Sequence, residues 1–333
     1  MKPFVTVVVT AYNRKDYLSE ALASLENQTA SREDFEVIVV KNFQDSAVDE
    51  KIARMGALNL YCESEYLPAF SSDAIKIARG EVISFLDDDD LFEKDKIRRV
   101  IDVFSSNPDV GYYHNSASFI DEKGEQIRAP YAFNFSAFRN PMGEIVVSRD
   151  SVRKSINKLI YFRHDFNRSC ISVRKSILTE RMDYARRIQS AHDSFIFYCA
   201  AMSGKSLFID DRKLTRYRFN RKSVSLSSTY RFSRRQIKTY TLLHKMALEA
   251  GESEIANLLE RQLLFFRTIN AIHNPIGSRR EVMRTALSFM KHANAYSRMA
   301  NTFAGILSLT YIVSPGLSKK IYSKLTAPNV KLQ

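Results

Sequence analysis

Ala78–Phe92 reads ARGEVISFLDDDDLF, an apolar run that ends in four consecutive aspartates. The segment Glu81–Leu86 is rich in apolar residues and is typical of a strand buried on both faces. Asp87–Asp90 follow at once, and each close pair of these carboxylates costs about a few kcal/mol in mutual repulsion. The run therefore predicts that a cation or polar partners offset the aspartates where a buried strand ends.

The chain around this run alternates between strand and helix patterns. Five strands are predicted, at Phe4–Thr10, Phe35–Val40, Leu58–Cys62, Glu81–Leu86 and Val110–His114. Helical spacing of apolar residues lies between or after them, at Tyr17–Leu25, Ser72–Ala78 and Glu93–Phe104. This alternation is typical of an α/β fold with a mostly parallel central sheet covered by helices.

The pattern from residue 116 to about residue 211 is less regular. It predicts a hairpin at Asp121–Gly124, a loop containing Pro130 and Pro141, short helices at Arg174–Glu180 and His192–Gly204, and edge strands at Ser169–Val173 and Leu207–Asp210. Beyond Tyr230 the sequence is helical, and a capping box at Ser278 and Glu281 opens a helix that runs to about Thr302.

The four aspartates favour a divalent-cation site. Ligands of open α/β folds bind at the carboxyl ends of the strands. Mg²⁺ and Mn²⁺ are bound there by one or two carboxylates together with substrate phosphates, which implies a nucleotide-diphosphate substrate. The alternative is structural: Asp90 caps the following helix, with Glu93 at the capping-box position.

Three blocks in order, VVVTAYNR (Val7–Arg14), FEVIVV and ARGEVISFLDDDDLF, resemble the nucleotide-sugar-binding half of family 2 glycosyltransferases. The resemblance implies the Rossmann-like GT-A fold of nucleotide-diphospho-sugar transferases. It also implies an Asp-x-Asp element on Asp87 and Asp89, which would hold Mn²⁺ or Mg²⁺. The positions that it assigns to nucleotide-sugar binding are Thr10, Ala11, Tyr12, Asn13, Arg14, Asn42, Ser72, Asp87 and Asp88.

A downstream block, Ala191–Ser225, resembles the acceptor-side segment of the same family. His192 and Asp193 occupy its Glu-Asp pair, which implies that Asp193 is the catalytic base. The chemistry agrees, because inverting sugar transfer needs one carboxylate near the acceptor hydroxyl. The alternative is that Asp193 only caps a helix.

Three departures from the family pattern fall mainly on the donor side. Lys41-Asn42 stand where the family usually has an Asp pair, Ser71-Ser72 replace an Arg-Asn pair, and Asn220 replaces a His. Lys cannot accept a hydrogen bond as Asp does. The departures predict an unusual sugar nucleotide, with a pocket that has lost activity as the alternative.

The net charge of +13 is unevenly distributed. Residues 212–333 hold 22 Lys and Arg against 5 acidic residues, whereas residues 1–211 hold 28 against 32. Met299–Val313 is apolar but interrupted by polar residues, and it is followed by Lys319, Lys320 and Lys324. The tail therefore fits an amphipathic helix that lies on an anionic membrane surface. A helical region packed on the catalytic domain is the alternative. No nucleic-acid motif accompanies the basic residues.

The chain is therefore predicted to be a metal-dependent, inverting glycosyltransferase acting on a hydroxyl of a glycan or lipid-linked glycan. Residues 1–228 are the predicted catalytic domain, with donor-binding half 1–115 and acceptor-binding half 116–228, and residues 229–333 are the basic helical region. A nucleotidyltransferase and a non-catalytic, membrane-attached sugar-nucleotide-binding module are the alternatives.

Three scattered cysteines and the absence of a secretory or membrane-spanning pattern predict a cytoplasmic protein, peripheral on the membrane face if the tail binds lipid. Helices around Thr239–Leu264 offer a surface for a homo-oligomer.

Overall fold

The computed structural model describes residues 2–13, 15–64, 67–128, 143–219 and 230–273, together with a few positions between 310 and 321. Within these residues one mixed sheet of ten strands carries helices on both faces. The predicted helices from Ser278 to Thr302 and the predicted loop around Pro130 and Pro141 lie outside them.

The elements follow one another in an α/β order. The strands are β1 (Val5–Ala11), β2 (Phe35–Lys41), β3 (Leu58–Tyr61), β4 (Val82–Asp87), β5 (Leu91–Phe92), β6 (Val110–Ile120), β7 (Gln126–Ile127), β8 (Ile145–Val147), β9 (Ile171–Arg174) and β10 (Ser206–Arg218). The helices are α1 (Leu18–Glu26), α2 (Ser46–Arg54), α3 (Leu67–Ile77), α4 (Lys96–Ser106), α5 (Arg149–Tyr161), α6 (Lys175–Thr179), α7 (Met182–Ala185), α8 (His192–Ala201), α9 (Tyr230–Glu249) and α10 (Ser253–His273). A 3₁₀ turn, Arg168–Cys170, precedes β9.

The main path of the sheet has the order β3-β2-β1-β4-β9-β6-β10-β5. The first four strands are parallel, as are β6 and β10, whereas β9 runs antiparallel between β4 and β6. Residues of β1 and β2 are buried on both faces, as expected of parallel strands covered by helices. The predicted α/β fold with a mostly parallel sheet is confirmed.

The carboxyl ends of β1 and β4 lie side by side. In the register of these two strands Thr10 pairs with Asp87, and on the other side Thr10 pairs with Val40 of β2. The four aspartates therefore emerge beside the loop that follows β1, at the sheet edge where α/β folds bind ligands.

Two sequence predictions about the second half are wrong in part. Ser169–Val173, predicted as an edge strand, contains most of β9, which lies inside the sheet and pairs with β4 and β6. Leu207–Asp210 is only part of the 13-residue β10. A short apolar run predicts a buried strand. It does not predict which strands lie beside it, because those strands come from distant segments of the chain.

The helices α9 and α10 pack on the domain that carries the sheet. Leu243 of α9 and Leu259 of α10 are fully buried in the same apolar cluster as Phe85 of β4 and Tyr112 of β6. The described part of the basic region thus shares a core with the sheet. None of the helices in the described ranges is long and apolar enough to cross a bilayer.

Candidate active site

A buried arginine lies at the centre of the sheet edge. The side chain of Arg168 is only 4% exposed, and its Nη2 donates to Asp87 Oδ1 at the end of β4 and to Thr10 Oγ1 at the end of β1. Its Nη1 donates to Ser71 Oγ of α3 at 3.1 Å and contacts His192 Nδ1 of α8 at 3.3 Å. One guanidinium therefore joins the predicted donor side to the predicted acceptor side.

The turn before β9 holds Arg168 in this place. Asn167 has a φ of 64°, a backbone conformation that is uncommon for residues other than glycine. Its side-chain oxygen accepts a hydrogen bond from the Ser169 amide at 3.0 Å, and Ser169 Oγ accepts one from the Asp87 amide, also at 3.0 Å. The turn is thus tied to the end of β4, and Arg168 is directed across the strand ends.

Asp193 lies in the first turn of α8 with its carboxylate half-buried. Its Oδ2 accepts a hydrogen bond from the Asn167 amide at 3.2 Å, and Oδ1 accepts one from the Ser194 amide at 2.9 Å. Burial raises the pKa of Asp193 to about 6, and the neighbouring Asp165 adds to the shift. A carboxylate with this pKa suits proton transfer near neutral pH.

The residues around Asp193 are also buried. Ser194 Oγ donates to Asp165 Oδ2 at 3.2 Å, and burial raises the pKa of Asp165. Burial likewise lowers the pKa of His192 well below its usual range, so its ring is neutral at pH 7 and Nδ1 is able to accept from Arg168. Ala191, before α8, has a φ of 49°, and such strained positions cluster at functional sites.

The four aspartates have different environments. Asp87 and Asp89 are half-buried, whereas Asp88 and Asp90 are buried. Asp90 Oδ1 accepts a hydrogen bond from the Arg218 amide at 3.0 Å, and burial, with Asp89 and Asp87 nearby, raises the pKa of Asp90 well above its usual range. The alternative that Asp90 caps the next helix is wrong, because α4 begins only at Lys96 with Asp95 before it.

On the donor side two loops are joined by reciprocal hydrogen bonds. The Asn13 amide donates to Asn42 Oδ1 at 2.7 Å, and Asn42 Nδ2 donates to Asn13 Oδ1 at 2.8 Å. The half-buried Tyr12 ring, in the residue before Asn13, packs against the buried Phe70 ring at a centroid distance of 6.0 Å. The loops after β1 and β2 therefore form one wall at the strand ends.

Lys41 points away from this wall. It is buried, and its Nζ lies 2.9 Å from Asp49 Oδ1 of α2 and donates to the Phe43 carbonyl at 2.7 Å. A cleft of about 470 Å³ is lined by Lys41 and by residues of α2 and β3, among them Asp49 and Tyr61. The cleft adjoins the position where the family usually carries an Asp pair.

The predicted donor residues are placed unequally. Thr10 and Asp87 meet at Arg168, and Ala11 is a buried strand residue. Ser72 is buried and its hydroxyl donates to the Pro68 carbonyl of its own helix at 2.8 Å, so Ser71 contacts the site in its place. Arg14 and Asn220 lie outside the described residues, and the roles of Asp88 and Asp89 stay predictions.

Arg168 is the functional candidate that sequence reasoning missed. It stands in NRSC, directly before a short apolar run, and nothing in that pattern marks a buried charge. Asn167 and Asp165 were missed for the same reason, since each is recruited by contacts between segments far apart in the chain. The sequence identifies Ser71 only as part of a pair that departs from the family pattern, and it predicts Ser72 in its place.

The predicted metal ion requires carboxylate oxygens that face it without another cation in contact. Asp87 Oδ1 is paired with the Arg168 guanidinium, and a divalent ion at this oxygen would place two positive groups against each other. As placed in the structure, Asp87 does not fit the predicted Mn²⁺ or Mg²⁺.

The order of the strands and the mostly parallel sheet with aspartates at its carboxyl edge are those of the GT-A fold class. The model of the family "Glycosyl transferase family 2" matches residues 6–178. The chain belongs to this family.

Relatives and solved structures agree with the assignment. A poly(ribitol-phosphate) beta-glucosyltransferase of Bacillus spizizenii is 36% identical over 102 residues, which are 28% of this chain and 16% of that protein. The matches to the next two curated relatives also cover about a third or less of their lengths, 36% and 22%.

Similar solved structures carry the same fold at low identity. TarS of S. aureus has a TM-score of 0.60 at 16% identity, covering 95% of this chain and 55% of TarS, and TarS 1–349 was solved in complex with UDP-GlcNAc. The mannosyltransferase PcManGT from Pyrobaculum calidifontis, in complex with GDP-Man and Mn²⁺, has a TM-score of 0.50 at 15% identity, covering 99% of this chain and 88% of that one.

Proposed function

We propose that the chain transfers a sugar from a nucleotide-diphosphate donor to an acceptor hydroxyl with inversion, and that Asp193 is the base. The observation that carries the proposal is the environment of Asp193. Its carboxylate is half-buried at the start of α8, is oriented by the amides of Asn167 and Ser194, and has a pKa raised to about 6.

The proposed step is a single displacement. The acceptor oxygen forms a bond to the anomeric carbon of the donor sugar while its proton passes to Asp193. The bond between that carbon and the phosphate oxygen breaks, and the nucleoside diphosphate leaves with the electron pair. Because attack and departure occur on opposite faces, the configuration at the anomeric carbon inverts.

A nucleotide sugar is the donor that the site supports. The Asn13–Asn42 pair and the Tyr12 ring present polar and aromatic surface at the strand ends, as a nucleoside needs. Solved neighbours are complexes with UDP-GlcNAc and with GDP-Man. Lys41 is engaged with Asp49, so recognition of the base differs from the usual family pattern.

For the acceptor we propose a hydroxyl of a glycan or lipid-linked glycan. The described helix α9 exposes Arg231, Arg234 and Lys238, and these cations suit an anionic acceptor or a membrane surface that presents it. A homo-oligomer through α9 and α10 stays a prediction of the sequence.

The test is a panel of sugar nucleotides incubated with the full chain and with glycan acceptors, with released nucleoside diphosphate as the readout. We expect Asp193→Asn to lower transfer by about 10²- to 10⁴-fold, the usual contribution of a general base, while nucleotide binding stays within about twofold. Asp183→Asn, an exposed aspartate of α7, is the matched control. Wild-type transfer retained in Asp193→Asn would show that another group is the base.

The non-catalytic alternative predicts a different result. A sugar-nucleotide-binding module would bind one member of the panel and release no nucleoside diphosphate under any condition, in wild type and variant alike.

A further inference from the structure

The acidic sheet edge already contains a cation that belongs to the protein. The Arg168 side chain is 4% exposed, whereas the Asp87 side chain that it contacts is 31% exposed. In this ion pair the arginine is therefore shielded from solvent, whereas solvent reaches the aspartate. An arginine remains protonated even in such a buried position.

The charge at this edge requires a cation. The carboxylates of Asp87, Asp88, Asp89 and Asp90 follow one another directly at the end of β4, with Asp88 and Asp90 buried and Asp87 and Asp89 half-buried. A nucleotide sugar adds a diphosphate, and its departure increases the negative charge during transfer. Without a positive group in contact, both the donor and the leaving group would be repelled.

The geometry of Arg168 suits this role. Its guanidinium lies between the end of β4, where the donor phosphates are expected, and His192 beside the proposed base. Apart from Asp87, its acceptors are neutral: two hydroxyls, of Thr10 and Ser71, and one imidazole nitrogen. Phosphate oxygens form stronger, charge-assisted hydrogen bonds with a guanidinium than neutral acceptors do.

We propose that Arg168 takes the place of the divalent cation in this glycosyltransferase. Its guanidinium holds Asp87 in the free protein, moves from its neutral acceptors toward the solvent-accessible Asp87 side to bind diphosphate oxygens when the donor arrives there, and stabilises the leaving nucleoside diphosphate. Donor binding and transfer then need no Mn²⁺ or Mg²⁺. This inference rests on the proposed function, because it presumes a nucleotide-diphosphate donor.

The first experiment measures binding of UDP and GDP to the full wild-type chain by calorimetry, once in EDTA and once in Mn²⁺. The expected result is binding in EDTA with a Kd that Mn²⁺ changes by less than about twofold. Binding that appears only when Mn²⁺ is present would overturn the proposal. This experiment uses only the wild-type protein, so its result does not depend on whether variants at Arg168 fold.

The second experiment replaces the guanidinium. Arg168→Gln is expected to weaken nucleotide binding in EDTA by about 10- to 100-fold, the size of one lost charged hydrogen bond with its desolvation. Because Asp87 then lacks its cation, Mn²⁺ is expected to restore part of the affinity and to give a saturable Mn²⁺ spectrum in electron paramagnetic resonance. Nucleotide binding by Arg168→Gln that equals the wild type in EDTA would contradict the proposal.

Arg153→Gln is the matched control. Arg153 also pairs with a carboxylate, donating to Glu252 at 2.6 Å, but this pair joins α5 to the turn before α10. It is expected to bind nucleotide as the wild type does, with or without Mn²⁺. Circular dichroism shows whether both variants are folded.

The outcomes separate the two proposals. Nucleotide binding that requires Mn²⁺, together with transfer that requires it, overturns the role of Arg168 and leaves glycosyl transfer intact. Metal-free nucleotide binding without transfer from any sugar nucleotide overturns the proposed function and leaves Arg168 as the diphosphate-binding cation.

Discussion

The surroundings of Asp193, the candidate base, set the pKa of its carboxyl group and the direction of its oxygens. The residue lies in the first turn of α8, where a carboxylate usually serves as a cap, yet it is half-buried, and burial together with the nearby Asp165 raises its pKa to about 6. The amides of Asn167 and Ser194 fix the direction of its oxygens. A solvent-exposed carboxylate with an ordinary pKa near 4 would be a weaker base.

The raised pKa gives a prediction about pH. A base works only when deprotonated, so kcat/KM is expected to fall as the pH decreases through about 6, with a tenfold loss for each further pH unit. Initial transfer rates between pH 4.5 and 8, at acceptor concentrations well below KM, would measure this. An acidic limb centred near pH 4 would contradict the assignment.

Asp165→Asn supplies the control for the pH profile. Asp165 raises the pKa of Asp193 through charge repulsion, so its removal is expected to move the acidic limb toward lower pH without abolishing transfer. A limb that stays in place in this variant would show that burial alone sets the pKa.

At the level of elements, the turn before β9 decides the site. Arg168–Cys170 connects a loop to a strand that inserts antiparallel between β4 and β6, and the insertion places Arg168 against the ends of the parallel strands. Had this segment been an edge strand, as its sequence predicts, Arg168 would lie away from Asp87. The order of the strands thus brings Arg168 into contact with Asp87.

The segment that leads into β4 passes very close to β1 at Gly80. The Gly80 amide donates to Thr6 Oγ1 of β1 at 2.9 Å, and a Cβ there would lie 2.5 Å from the Thr6 amide nitrogen. Gly80→Ala is therefore expected to lower the free energy of unfolding by about 1–3 kcal/mol, as overpacking does. Urea titration followed by circular dichroism measures it.

Gly316→Ala is the matched control for Gly80→Ala. A Cβ at Gly316 meets nothing within 4 Å, so its free energy of unfolding should stay the same or rise by up to about 1 kcal/mol. Equal stability of both variants would show that the close approach at Gly80 relaxes without cost.

On the scale of the whole molecule, the positive charge and the carboxylates of the candidate site belong to different regions. Residues 1–211 carry a small negative net charge, and residues 212–333 carry +17. In the described part of the latter region, α9 and α10 bury Leu243 and Leu259 in the core shared with the sheet. Arg231, Arg234 and Lys238 of α9 stay exposed, so packing on the domain leaves these cations available for the predicted membrane contact.

Membrane contact is tested with the full chain and anionic vesicles. We expect the protein to sediment with vesicles containing phosphatidylserine, and the triple variant Lys319→Gln, Lys320→Gln, Lys324→Gln to partition about 100-fold less. Each basic residue near such a surface contributes about 1 kcal/mol. Equal pelleting of both proteins would exclude these lysines from the contact.

The control variant removes the same number of positive charges from a different part of the chain. Arg149, Lys154 and Lys158 are exposed on α5, so their replacement by Gln is expected to leave pelleting unchanged. Loss of pelleting in this variant as well would indicate net charge rather than a surface on the tail.

The amino-acid sequence determined the parallel half of the sheet, the position of the aspartates at its edge and the family. These depend on local patterns: β-branched runs buried on both faces, helical spacing between them, and carboxylates directly after a strand. The candidate base Asp193 also lies in a block that resembles the family.

Only the tertiary structure decided which side chains meet at that edge. It inserted β9 into the sheet, brought Arg168 to Asp87, placed Ser71 rather than Ser72 against it, and buried Asp193 enough to raise its pKa. The physical reason is that burial, ion pairing and strand order arise between segments far apart in the chain, and no local pattern encodes such contacts.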